Sequence, residues 1–75
     1  MMNKHIEFVR EWLDDPTSKT QAELEANADS SNDACINNPR SAGAVYAAWA
    51  SDFAMMGAAE GAKDWIRRYE ESTNA

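Results

Sequence analysis

Apolar residues recur at helical intervals over three stretches of this chain, and polar punctuation separates them. Ile6, Val9 and Leu13 stand at i, i+3 and i+7, with Phe8 and Trp12 beside them, while Lys4, Glu7, Arg10, Glu11 and Asp14 take the other side. At about 100° per residue this is one broad apolar face, which predicts a helix over about 3–14 with Asn3 as its N-cap. Pro16 disfavours helical geometry at Asp15 and ends it.

Thr20 followed three residues later by Glu23 is a capping-box signature, and it opens a second predicted helix over about 21–36. The seam of that helix is thin: Leu24, Ala28, Ser31, Cys35 and Ile36. Asp29 to Asp33 is poor in helix formers and marks a weak point. Asn37-Asn38-Pro39 is the next stop, with Asn38 as cap and Pro39 in the first turn of the third helix.

The remainder reads as one long helix over about 39–72, bent near Gly57, with a break near Gly57–Gly61 and a fourth short helix over 58–72 as the alternative. Ala44, Ala48, Ser51, Met55, Ala59, Ala62, Ile66 and Tyr69 make one continuous small-residue stripe, and Val45, Trp49, Phe53 and Met56 a bulkier one. Helix two is expected antiparallel along the small stripe, with helix one closing the bulky stripe. A continuous last helix would span about 50 Å, and its C-terminal half would overhang. Ala62, Trp65, Ile66 and Tyr69 are therefore expected to meet a second chain or a protein partner. Ser72 to Ala75 should fray. The fold class is an all-α bundle of three helices forming a single domain over 1–75, small enough to gain from association.

Charge sharpens this picture. The chain carries a net charge of −6, and all of that excess falls between residues 7 and 33, where eight acids face only Arg10 and Lys19. Phosphate-backbone binding needs lysine and arginine, so direct nucleic-acid binding is not expected, whereas Glu23, Glu25, Asp29 and Asp33 could face a basic protein. No apolar run approaches the length of a membrane span, and Met1 to Leu13 lacks the continuous apolar core of a secretory leader. The single cysteine, Cys35, excludes an internal disulfide and fits a buried small hydrophobe in a reducing, cytoplasmic setting.

Candidate chemistry is sparse. His5 is the lone histidine and reads as a solvated side chain on the first turn. One histidine and one cysteine do not make a zinc site, and the acidic run Asp29 to Asp33 lacks the glycine and terminal glutamate of a calcium loop. Gly57 to Gly61 lacks the lysine and preceding strand of a phosphate loop. Trp12, Trp49 and Trp65 lie in apolar stripes and are expected in the core. No metal, cofactor or small-molecule substrate is indicated, and an enzyme is not expected.

The opening from Asn3 to Leu13, the Asp15-Pro16 turn, the Glu23-Leu24-Glu25-Ala26-Asn27-Ala28 segment and the Trp65 to Glu71 close together resemble a group of small alanine-rich proteins encoded by tailed bacteriophages and by bacterial genomes carrying phage genes. The segments Asp29 to Asn38 and Met55-Met56-Gly57 depart from the alanine pattern of that group. The resemblance implies a helical fold and a phage setting, and nothing about chemistry. Two functional expectations result: a non-catalytic protein that acts by protein–protein interaction, with a homodimer as one form of it, and an acidic inhibitor that occupies a basic surface of a host nucleic-acid-binding enzyme.

Overall fold

A computed structural model describes residues 3–73. They form four α-helices: α1 (Lys4–Asp14), α2 (Gln21–Asn37), α3 (Ala44–Met55) and α4 (Ala59–Thr73), with a single 3₁₀ turn at Pro16–Ser18. No strand occurs among the described residues. The expected three-helix bundle is corrected to four helices, and the last stretch divides at Gly57, the alternative that the sequence left open.

Local chemistry sets the boundaries. The Asn3 side chain accepts from the amides of His5 and Ile6 at 3.0 and 3.2 Å and starts α1. The capping box forms as expected: the Glu23 amide donates to Thr20 Oγ1 at 3.1 Å, and the Thr20 amide to Glu23 Oε1 at 2.8 Å. The weak segment Asp29 to Asp33 stays helical where it is tied to its neighbours: Ser30 meets His5 of α1, and Asn32 meets α3. Asn32 donates to the Ala28 carbonyl and to Asp52 Oδ1, both at 2.8 Å.

Two glycines make the turns that the periodicity did not resolve. Asn38 and Pro39 do not open the third helix; the Ser41 amide instead closes a turn onto the Asn38 carbonyl, and Gly43, at φ +79°, is the N-cap of α3. At the other end, the Gly57 amide bonds the Ala54 carbonyl and the Ala58 amide reaches back to Phe53, both at 2.9 Å. These two bonds are a Schellman cap, and Gly57 at φ +76° supplies its left-handed residue. The chain reverses there and α4 returns antiparallel along α3. Gly61 faces Phe53 and Gly43 faces Tyr69, close enough that an added methyl at either would strike the ring. Tyr46 and Trp65 pair between these two points.

The centre of the molecule is α3. It packs against α1, α2 and α4, while α2 and α4 do not touch. Ala44, Ala47, Ala48, Ala50, Ser51 and Ala54 are its buried residues. Ile6, Val9 and Trp12 of α1, Leu24 of α2, and Ile66 and Tyr69 of α4 fill the space around them. Gln21 Nε2 donates to the Met55 carbonyl at 2.9 Å, joining the start of α2 to the end of α3 and making these helices antiparallel.

Helix α1 therefore lies on the small side chains of α3, and the expected closure of the bulky stripe by helix one is corrected. Val45, Trp49 and Met56 remain 44%, 48% and 62% exposed. Ser72 and Thr73 are helical rather than frayed; Asn74 and Ala75 lie outside the described residues.

Gly57→Ala should cost about 1–2 kcal/mol, the penalty of a left-handed non-glycine residue, since no other group crowds that position. Gly43→Ala should cost more, because Tyr69 must also move. Urea denaturation of the two variants checks the order. Ser31 Oγ is buried without a partner, so Ser31→Ala should leave stability unchanged or raise it by up to about 1 kcal/mol in the same measurement.

Candidate functional site

Around the axis of α3, three sides are occupied. Ala47, Ala50 and Ala54 meet the core beneath α1; Ser51 and Asp52 meet α2; Tyr46 and Phe53 meet α4. The fourth side carries Val45, Trp49 and Met56, which helical spacing places about opposite Ala47 and Ala54. Three of the four exposed large hydrophobic side chains among the described residues stand on this open side. Trp49 stacks on Trp65 of α4 with ring centroids 5.4 Å apart and planes 11° apart, and it lies 6.3 Å from Phe53. The Arg68 guanidinium covers Trp65 at 4.5 Å from the ring. Trp49 and Trp65 were expected in the core; Trp12 alone of the three tryptophans is buried, and the other two form a surface stack.

The expected interface residues have a different fate. Ala62, Ile66 and Tyr69 are 0%, 6% and 8% exposed, inside the chain's own core. The reversal at Gly57 lets α4 cover the stripe that a continuous helix would have left for a second chain, and that assignment is corrected for these three. Trp65 is half-buried and borders the open side.

Of the acidic residues singled out, Glu25, Asp29 and Asp33 are exposed at i, i+4 and i+8 on α2. They share the flank of α2 that carries Ile36, itself 76% exposed, and that turns away from α1. Glu23 lies apart from them. It serves the Thr20 cap, whose amide and hydroxyl hold its carboxyl below the usual carboxylate range, and it lines a cleft against α1.

That cleft, about 370 Å³ and wide open, is bordered by Lys4, His5, Phe8, Glu23, Ala26, Asn27 and Ser30. His5 was expected in solvent; it is instead buried, with Nε2 3.0 Å from Ser30 Oγ. Burial first, and the neighbouring Lys4 second, lower its pKa from the ordinary 6.5. Cys35 does not pair with it: that thiol lies near the far end of α2 and is half-buried rather than buried. No group of three or more His, Cys, Asp or Glu able to hold a metal ion occurs among the described residues. Among the described residues, no helix is long and apolar enough to cross a membrane.

The α4 charges pair among themselves: Arg67 with Asp64 and Glu71, and Arg68 with Asp64. Arg10 joins Glu7 to Glu70 and so ties α1 to α4 across the surface. Exposed pairs of this kind contribute little stability.

Comparison with known protein families, with curated proteins and with solved structures finds no match. Periodicity placed the bulky stripe on α3 correctly but could not say which side the other helices would leave open. The Met56-Gly57-Ala58 sequence held the signal for that, as a glycine positioned to end a helix.

Because the folded-state pKa of His5 is lowered, its contribution to stability is present above pH 6.5 and is lost as pH falls below that value and protonation pulls the ring towards water. Urea denaturation from pH 7.5 to pH 5 should show falling stability, and His5→Gln should flatten that profile over the same range.

Proposed function

We propose that this is a non-catalytic protein that acts by protein–protein interaction through the open side of α3. The observation that carries the reading is the stack of exposed Trp49 on half-buried Trp65, with Val45 and Met56 beside it. Tryptophan is enriched where binding energy concentrates in interfaces, and contiguous exposed apolar patches of about 300–600 Å² on monomers often coincide with function. A stacked pair held by its own core is also rigid, so little side-chain freedom is lost on binding.

Helix α3 is committed on its other three sides, so the stripe is held in place whether or not a partner is present. The acidic flank of α2 supports the related reading of an inhibitor that meets a basic protein surface. On that reading Glu25, Asp29 and Asp33 supply the charge, and the phage setting suggested by the sequence resemblance would make a host enzyme the target.

Trp49→Ser combined with Met56→Ser tests the proposal. Both side chains still bury about half of their surface, so the double variant should lose about 3–4 kcal/mol, and circular dichroism checks that it stays helical. In crosslinking from cell extract, the native chain should capture a protein that the double variant does not. Identical capture by the two chains would sink the idea.

A further inference from the structure

Resting on that reading, we infer that the occupant of the open side is a basic amphipathic helix from another protein, laid along α3 between α2 and α4.

The length and area of the face fit a helix. From Val45 to Met56 the stripe runs about 16 Å, or three helical turns. Its partly exposed Val45, Trp49 and Met56, with Ile36, offer about 400 Å² of apolar surface at the usual size of such side chains. That matches one face of a short helix. The apolar share of the roughly 800 Å² that each partner gives a stable complex of two globular chains is of the same size, so area does not separate a helix from a second copy and the charge of the borders does.

The charge of the borders gives the partner its sign. One border is the α2 flank of Glu25, Asp29 and Asp33, and no salt bridge involves any of these three among the described residues. Asp52 adds a further carboxylate between that flank and the stripe, held there by Asn32. The other border presents Gly61, Trp65, Arg68 and Ser72 on the side of α4 away from α1, and its one cation is already paired with Asp64. The face is thus apolar along its floor, acidic along one edge and close to neutral along the other. A helix with leucine-like residues at i, i+3, i+4 and i+7 and lysine or arginine on one flank complements all three zones. A second copy would bring its own net charge of −6 against this edge.

Three synthetic helical peptides of about 14 residues serve as probes, titrated onto the full chain and followed by its tryptophan fluorescence. The first has a leucine face flanked by lysines, the second replaces the lysines by glutamates, and the third keeps the lysines and replaces the leucines by serines. The lysine–leucine peptide should change the emission of the Trp49–Trp65 stack. Its Kd should rise by at least about tenfold between about 0.05 M and 0.5 M salt. The glutamate and serine versions should each bind at least about tenfold more weakly. Asp29→Lys with Asp33→Lys, both exposed and remote from the core, should reverse the preference between lysine and glutamate peptides.

Equal binding of those two peptides, or a preference that survives the reversal, would overturn the basic partner and leave the interaction face standing. So would failure of every peptide to bind together with a concentration-dependent dimer, seen by light scattering, that Trp49→Ser and Met56→Ser abolish. Failure of every peptide to bind a chain that stays monomeric, with extract capture unchanged by the double variant, would overturn this inference and the reading beneath it together.

Discussion

The small side chains of α3 are the constraint on which the rest of the molecule depends. Ala44, Ala47, Ala48, Ala50, Ser51 and Ala54 let three helices approach one axis closely, and each approach commits one side of that axis. The volume those alanines do not fill comes from the neighbours: Ile6, Val9 and Trp12 from α1, Leu24 from α2, Ile66 and Tyr69 from α4. A helix that gives its small residues to the core must turn its large ones elsewhere. The exposure of Val45, Trp49 and Met56 is thus the counterpart of the close packing behind them, and the candidate face arises from the way the core is built.

The reversal at Gly57 decides how much of that surface is left. With the left-handed cap in place, α4 returns along α3, Ala62, Ile66 and Tyr69 become core, and Trp65 reaches across to stack on Trp49. Two glycines keep this hairpin tight, Gly43 against Tyr69 and Gly61 against Phe53. The same turn that makes the chain self-sufficient on one side gives the open side its rigid aromatic centre.

Polar groups fix the register that alanine packing leaves permissive. Smooth small-residue surfaces slide easily, whereas a directional hydrogen bond is lost by a slip of one residue. Asn27 donates to Ser51, Asn32 to Asp52 and Gln21 to the Met55 carbonyl, pinning α2 on α3 at three points. His5 with Ser30 fixes α1 on α2 in the same way, at the cost of a buried, protonation-sensitive ring. These contacts also explain why α2 remains helical through a segment whose residues are weak helix formers taken alone.

Much of the local structure was legible in the sequence because it rests on neighbours a few residues apart. The Asn3 cap, the Thr20–Glu23 capping box, the stop at Asp15-Pro16 and the apolar face of α1 are all decided within one or two helical turns, and the structure has them as read. The all-helical class comes from the same short-range patterns. What only the tertiary structure decided is which side of a helix faces which neighbour. Periodicity shows that Val45, Trp49, Phe53 and Met56 share a stripe, and that Ala62, Ile66 and Tyr69 share another, but an apolar stripe looks the same whether it ends in a core or on a surface. His5, with no charged partner and no motif, gives no local sign of burial. These outcomes depend on where the chain reverses and on how three helices divide the circumference of a fourth, and those are competitions among long-range contacts that no local window contains.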